Sequence, residues 1–256
     1  MAAKLTAAGF DVCSNPFGTL YNPFSVLSSL ERIASCTPFT PEDCVEMGAG
    51  ANMVCSFHHH SSFARAGKDE FLSDANTSLK AAAEFWKSCN VLIITFGTAM
   101  VWKRADSGMI VSNCLKRPAS EFIHEMTDIP QIEEAIKQIR NIAGDRLIIF
   151  SASPVRHLGE GAHINTLSKA RLQLALEKEC TGNTYSHYFP SYEILLDELR
   201  DYRFYAEDLC HPNSTAIDCI WERFCECCTE PSEAEAMRNN EKAFRRSQHR
   251  PLLHNS

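Results

Sequence analysis

The chain has 256 residues, 45% hydrophobic, 22% charged and 9% aromatic, enough apolar material for one full-sized core, and this excludes disordered, collagen-like and fibrous classes. Its 25 Lys and Arg against 32 Asp and Glu leave a formal charge of -7, a sign that opposes tight non-specific binding to phosphate backbones or acidic lipid. No nucleic-acid partner and no membrane are therefore expected.

The longest apolar run, Val91 to Phe96, is far short of the roughly 18 residues that a membrane span needs. Met1 is not followed by a basic region and an apolar stretch, so a cytoplasmic protein without an export signal is expected. Twelve cysteines spread over a chain of this kind read as reduced thiols rather than a disulfide scaffold.

In chain order, the first 60 residues read as a structured loop region. Asn15-Pro-Phe-Gly18 and Tyr21-Asn-Pro-Phe24 are dense in turn-forming residues, and Asn15, Gly18 and Asn22 are site candidates or simple turn residues. His58-His59-His60 cannot all point one way in a strand or helix and have no flanking carboxylate, so no metal site is expected there. Helical periodicity follows near 74–88, and Val91 to Phe96 is a continuous apolar run, as in a central strand covered on both faces. Gly97 and Thr98 end that strand, where a glycine lets a ligand approach backbone N–H groups.

A helix over 131–143 opens beside Pro130 and stops at Gly144, and Leu147 to Phe150 gives a second buried strand. Ser153, Arg156 and His157 leave that strand and could line the same sheet edge. Ser153 itself is a poor nucleophile, because Pro154 removes the N–H that would serve an oxyanion. A helix over 165–180 and a weaker strand at 186–189 come next.

Asp208-Leu-Cys-His211 is the sharpest local feature. A carboxylate three residues ahead of an imidazole in a tight turn can orient its tautomer and stabilise its protonated form, two-thirds of a catalytic triad. A helix over 213–227 then carries Ile217, Ile220, Trp221 and Phe224 at core spacing, and Cys225, Cys227 and Cys228 at its end read as packing residues before metal or redox ones. Residues 1–228 are expected to form the domain and 229–256 a polar tail, with an exposed helix through 233–246 that frays afterwards. Alternating strands and helices imply a parallel sheet wrapped by helices.

Together, Asn15 to Pro23, His58 to Phe63, Ile94 to Thr98, Ser153 to His157, Phe189 to Glu193 and Asp201 to Pro212 resemble a GSCFA-domain protein over about residues 1–226. That family is similar to the SGNH, or GDSL-like, hydrolases. The resemblance implies a three-layer α/β/α flavodoxin-like sandwich and ester hydrolysis by a Ser-His-Asp set, with a small-molecule or carbohydrate ester as substrate and no cofactor. Asp208 would orient, His211 would act as general base, and Gly18, Gly97 and Thr98 would contribute to the oxyanion site. The Gly-Ser-Cys-Phe-Ala motif that names the family is absent from the sequence. Its serine would lie upstream of Met1, which leaves the chain as given impaired and the first strand of the sheet missing. In a flavodoxin-like order, 2-1-3-4-5, that strand is interior, so Gly9 to Ser14, the expected second strand, would be detached or shifted. The alternatives are a non-catalytic carbohydrate- or ligand-binding module, in which Tyr21, Phe63, Trp102 or Tyr205 stack on a ligand, and a zinc or redox protein using Cys225 to Cys228.

Overall fold

A computed structural model describes residues 1–48 and 50–248. The helices are α1 (Ala2–Ala7), α2 (Pro23–Ser35), α3 (Lys68–Ser88), α4 (Ile129–Ala143), α5 (Ala162–Cys180), α6 (Ser191–Glu193), α7 (Ser214–Cys228) and α8 (Ala234–Gln248). The strands are β1 (Val45–Glu46), β2 (Val54–Cys55), β3 (Val91–Phe96), β4 (Met100–Arg104), β5 (Ile110–Val111), β6 (Phe122–Met126), β7 (Leu147–Ala152) and β8 (Ser186–Tyr188). Among the described residues, no helix is long and apolar enough to cross a membrane.

The central sheet is parallel, in the order β3-β7-β8, with Val91 opposite Leu147 and Ile148 opposite Ser186. Parallel neighbours need crossovers, and the amphipathic α4 together with α5 supplies them. The start and stop of α4 follow from its sequence. Asp128 accepts from the Gln131 N–H while Gln131 reaches back to the Asp128 N–H, Pro130 lies in the first turn, and Gly144 closes the helix at φ +61°. One face of the sheet, Ile94, Phe96, Ile148 and Phe150, packs on Ile132, Ile136 and Ile139 of α4 and Leu172 and Leu176 of α5. On the other face Ile149 meets Leu5 of α1, Ile220, Trp221 and Phe224 of α7 and Met237 of α8. Helices therefore cover both faces, which is why β7 reads as an unbroken apolar run; each such Ile or Phe contributes roughly 1.5–3 kcal/mol by burial.

Three regions depart from the sequence reading. Residues from Pro23 form the helix α2 rather than a loop, because Asn22 accepts the Ser25 N–H, Pro23 has the right φ for a first turn, and Val26, Leu27, Leu30 and Ile33 form an apolar stripe. Residues 100–126 hold an antiparallel sheet, β5-β4-β6, that the apolar pattern did not announce. Gly9 to Ser14 form no strand.

The register leaves β3 with an open side. Leu147 donates to the Asn90 carbonyl and Ser153 to that of Phe96, so the even-numbered residues of β3 turn their polar groups to β7. Ile93 and Thr95 turn theirs the other way, and among the described residues no strand pairs with them. The Val91 carbonyl accepts from the Cys89 thiol.

The polar tail is partly docked. Met237 is buried, Asn240 donates to the Ala8 carbonyl, and Glu241 accepts from the Trp221 indole. The fraying expected after 246 falls mostly outside the described residues. Gly9 has φ +97°, and a Cβ there would lie 2.2 Å from Asn240 Nδ2. Gly9→Ala is therefore expected to cost about 1–2 kcal/mol. The loss should appear as faster amide hydrogen exchange confined largely to α1 and α8, and unchanged exchange would refute this docking.

Candidate active site

A tight loop after the last strand builds the sharpest feature. Tyr205 and Pro212 form an isolated antiparallel bridge, Ala206 donates to the His211 carbonyl, and Asn213 then caps α7 by accepting the Ala216 N–H. Leu209, at φ +56°, turns the chain sharply enough for the Asp208 carboxylate to meet the residues that follow it. Its Oδ1 accepts from the Cys210 and His211 N–H groups, both at 2.9 Å, and its Oδ2 lies 2.6 Å from His211 Nδ1. These donors hold the Asp208 carboxyl down to about 2, the two backbone N–H groups contributing first. An ionised Asp208 fixes the Nδ1–H tautomer, so Nε2 is left as the base, and with the His211 side chain 63% exposed it is open to solvent.

The loop docks against the segment that leaves β7. Arg156 N donates to the Cys210 carbonyl at 3.2 Å, and the guanidinium stacks 4.1 Å from the centre of the Tyr205 ring and 5.5 Å from that of Tyr202. His157 lies edge-on to Tyr21, and its Nε2 is 3.1 Å from where a Cβ of residue 97 would be. Burial, then the nearby Lys169 and His211, push His157 down to about 4, so it is neutral at physiological pH. Gly18 reaches the same region from the amino-terminal loop at φ +84°, so close to His60 that a Cβ would lie 2.4 Å from that residue's own Cβ. Gly97 and His157 are thus direct neighbours, and the loop that carries His211 docks on Arg156 beside them. Asn15 serves the Gly18 turn and Asn22 the α2 cap.

The backbone donors at this edge are occupied. Gly18 N–H donates to the Asn15 carbonyl, and the Gly97 and Thr98 N–H groups share the Tyr21 carbonyl at 2.7 and 3.1 Å. An oxyanion could use the latter pair only after Tyr21 moves. Thr98 Oγ1 bonds Ser168 Oγ and accepts from Met100 N. Ser153 Oγ accepts from Val155 N. Among the described residues, no hydroxyl hydrogen-bonds His211 Nε2.

Three buried polar side chains of α5 were missed by the sequence reading. Asn165 accepts the His157 N–H at 2.9 Å, Ser168 the Ala99 N–H at 2.7 Å, and Lys169 donates to the Gly97 and Ser153 carbonyls at 2.6 and 2.7 Å. The available signal was their spacing, i, i+3 and i+4, on a helix face that should be apolar.

The remaining candidates serve packing. His58 bonds Ser28, His60 bonds Ser62, and His59 is fully buried among Phe17, Phe39, Phe63 and Phe71, so the three imidazoles diverge. Cys225 and Cys228 pack against the α7 core, and burial raises Cys228 to about 11, which keeps it a thiol at neutral pH. A surface groove of about 430 Å³ lies between α2 and α4, lined by Phe24, Leu27 and Pro130, away from the Asp208–His211 pair.

Compared with known proteins, residues 1–224 match the model of the GSCFA family. No curated protein and no solved structure matches the chain.

Proposed function

The chain belongs to the GSCFA family, and from that premise we propose that its site performs ester hydrolysis of the Ser-His-Asp type on a small-molecule or carbohydrate ester. The observation that carries this reading is the 2.6 Å contact between Asp208 Oδ2 and His211 Nδ1, which leaves Nε2 free as base. A serine Oγ attacks the ester carbonyl as its proton passes to Nε2. The imidazolium, stabilised by Asp208, then protonates the leaving alcohol. Water hydrolyses the acyl-enzyme by the same exchange in reverse.

The nucleophile in this reading is the serine of the Gly-Ser-Cys-Phe-Ala motif, which residues 1–256 do not contain. A first strand carrying that serine would add to the side of β3 on which, among the described residues, no strand pairs with Ile93 and Thr95, and would deliver the hydroxyl toward Gly97 and His211. The test compares hydrolysis of short acyl esters by the 256-residue chain, by a chain extended upstream through the motif, and by the Ser→Ala variant of that extension. Turnover by the extended chain alone supports the reading, and equal, negligible turnover by all three rejects it. The shared Tyr21 carbonyl on the Gly97 and Thr98 amides favours a second reading, a ligand-binding module without chemistry. Saturable sugar binding without turnover, in the extended chain as well, would decide for it.

A further inference from the structure

Lys169 is 1% exposed and makes no ion pair among the described residues. A buried ammonium without a carboxylate is costly unless its hydrogen bonds are good. Its two acceptors are the carbonyls of the first residues beyond the two strand ends, Gly97 after β3 and Ser153 after β7. The Gly97 carbonyl belongs to the peptide whose N–H is that of Thr98. A cation on this oxygen withdraws electron density and makes that N–H a stronger donor. The peptide at Ser153 leads into Pro154 and has no N–H, so the polarisation of a donor falls on Thr98 alone.

We propose that Lys169 is a positioning residue of the site, clamping the ends of β3 and β7 together and polarising the Gly97–Thr98 peptide so that the Thr98 N–H receives an oxyanion when the Tyr21 carbonyl withdraws. The use to which this charge is put rests on the acyl-transfer reading; the charge coupling itself does not. The other groups facing the ammonium are the Tyr192 ring, 6.0 Å away, and the neutral His157, with His211 beyond. Burial lowers Lys169 to about 7, so its charge is lost as pH rises through neutrality.

The test follows the Thr98 amide by NMR from pH 6 to 9 in the 256-residue chain and in its K169R and K169M variants. In the unsubstituted chain the Thr98 signal is expected to inflect near pH 7. K169R, charged throughout, should remove that inflection. K169M should show the low-charge position at every pH; should it fail to fold, K169Q takes its place. An inflection that persists in K169R, or a Thr98 amide that does not respond, overturns the proposal. In a chain that hydrolyses esters, kcat should fall about tenfold or more above pH 7 and K169R should carry the plateau to higher pH; an alkaline limb identical in both overturns the proposed use of the charge. An inflection without hydrolysis in any chain counts against the acyl-transfer reading and leaves the coupling standing.

Discussion

Replacing His211 by alanine in a chain that carries the motif serine is expected to lower kcat for short acyl esters by about 10²–10⁴-fold, with KM little changed. Removal of the imidazole takes away both the proton acceptor for the nucleophile and the donor to the leaving alcohol, whereas no ground-state binding is assigned to it. Asp208→Asn should cost about 10²-fold. An amide at 208 can still accept the Cys210 and His211 N–H groups, so the loop should keep its shape while the imidazolium loses its counter-charge. With both side chains half or more exposed, water screens part of that loss, which places the expected effect below that of a fully buried triad. The pH dependence has a definite sign. Asp208, held at about 2, stays ionised through any workable assay, so its own protonation does not set the acid limb of kcat/KM. Equal activity of the unsubstituted chain and His211→Ala would reject the base role.

The second large effect concerns acid stability. His59 is fully buried in a cage of four phenylalanines, with Nδ1 on Ser56 Oγ and Nε2 unpartnered. Burial, reinforced by His58 and Arg32, pushes it down to about 3 from 6.5. The folded state thus resists a proton that the unfolded chain accepts. The stability contribution is complete above pH 6.5 and is lost as pH falls toward 3. At pH 4.5 the loss is about 3 kcal/mol, two pKa units at about 1.4 kcal/mol each. His59→Phe fits an aromatic cage and removes the titration, at the cost of the Ser56 bond. Its stability relative to the unsubstituted chain should therefore rise by about 3 kcal/mol between pH 7 and 4.5. Denaturant unfolding at both values measures this, and a constant difference would show that His59 is not kept neutral by the fold. Comparing the two proteins at each pH cancels the acid response of His157 and the carboxylates.

Much of the scaffold was legible because its signals are local. The caps at Asp128 and Gly144, the apolar runs of β3 and β7 and the stripe of α7 each lie within one window of sequence. The Asp208–His211 contact was legible for the same reason, since three residues and a tight turn bring the groups together whatever surrounds them. The antiparallel sheet over 100–126 was not, because its strands are short and its mixed burial blurs the alternation. The α5 brace was hidden because Asn165, Ser168 and Lys169 find their partners 8 to 72 residues away.

The amino-acid sequence by itself determined the strand–helix alternation, the net negative charge and the carboxylate–imidazole pair, all set by propensity, composition or spacing of a few residues. Only the tertiary structure decided what those groups face. It committed the Gly97 and Thr98 amides to the Tyr21 carbonyl and placed the Lys169 ammonium beneath two strand ends and, among the described residues, left it without an ion pair and one side of β3 without a pairing strand. Hydrogen-bond competition and burial depend on which distant groups the fold brings to a given donor, and no local pattern records that.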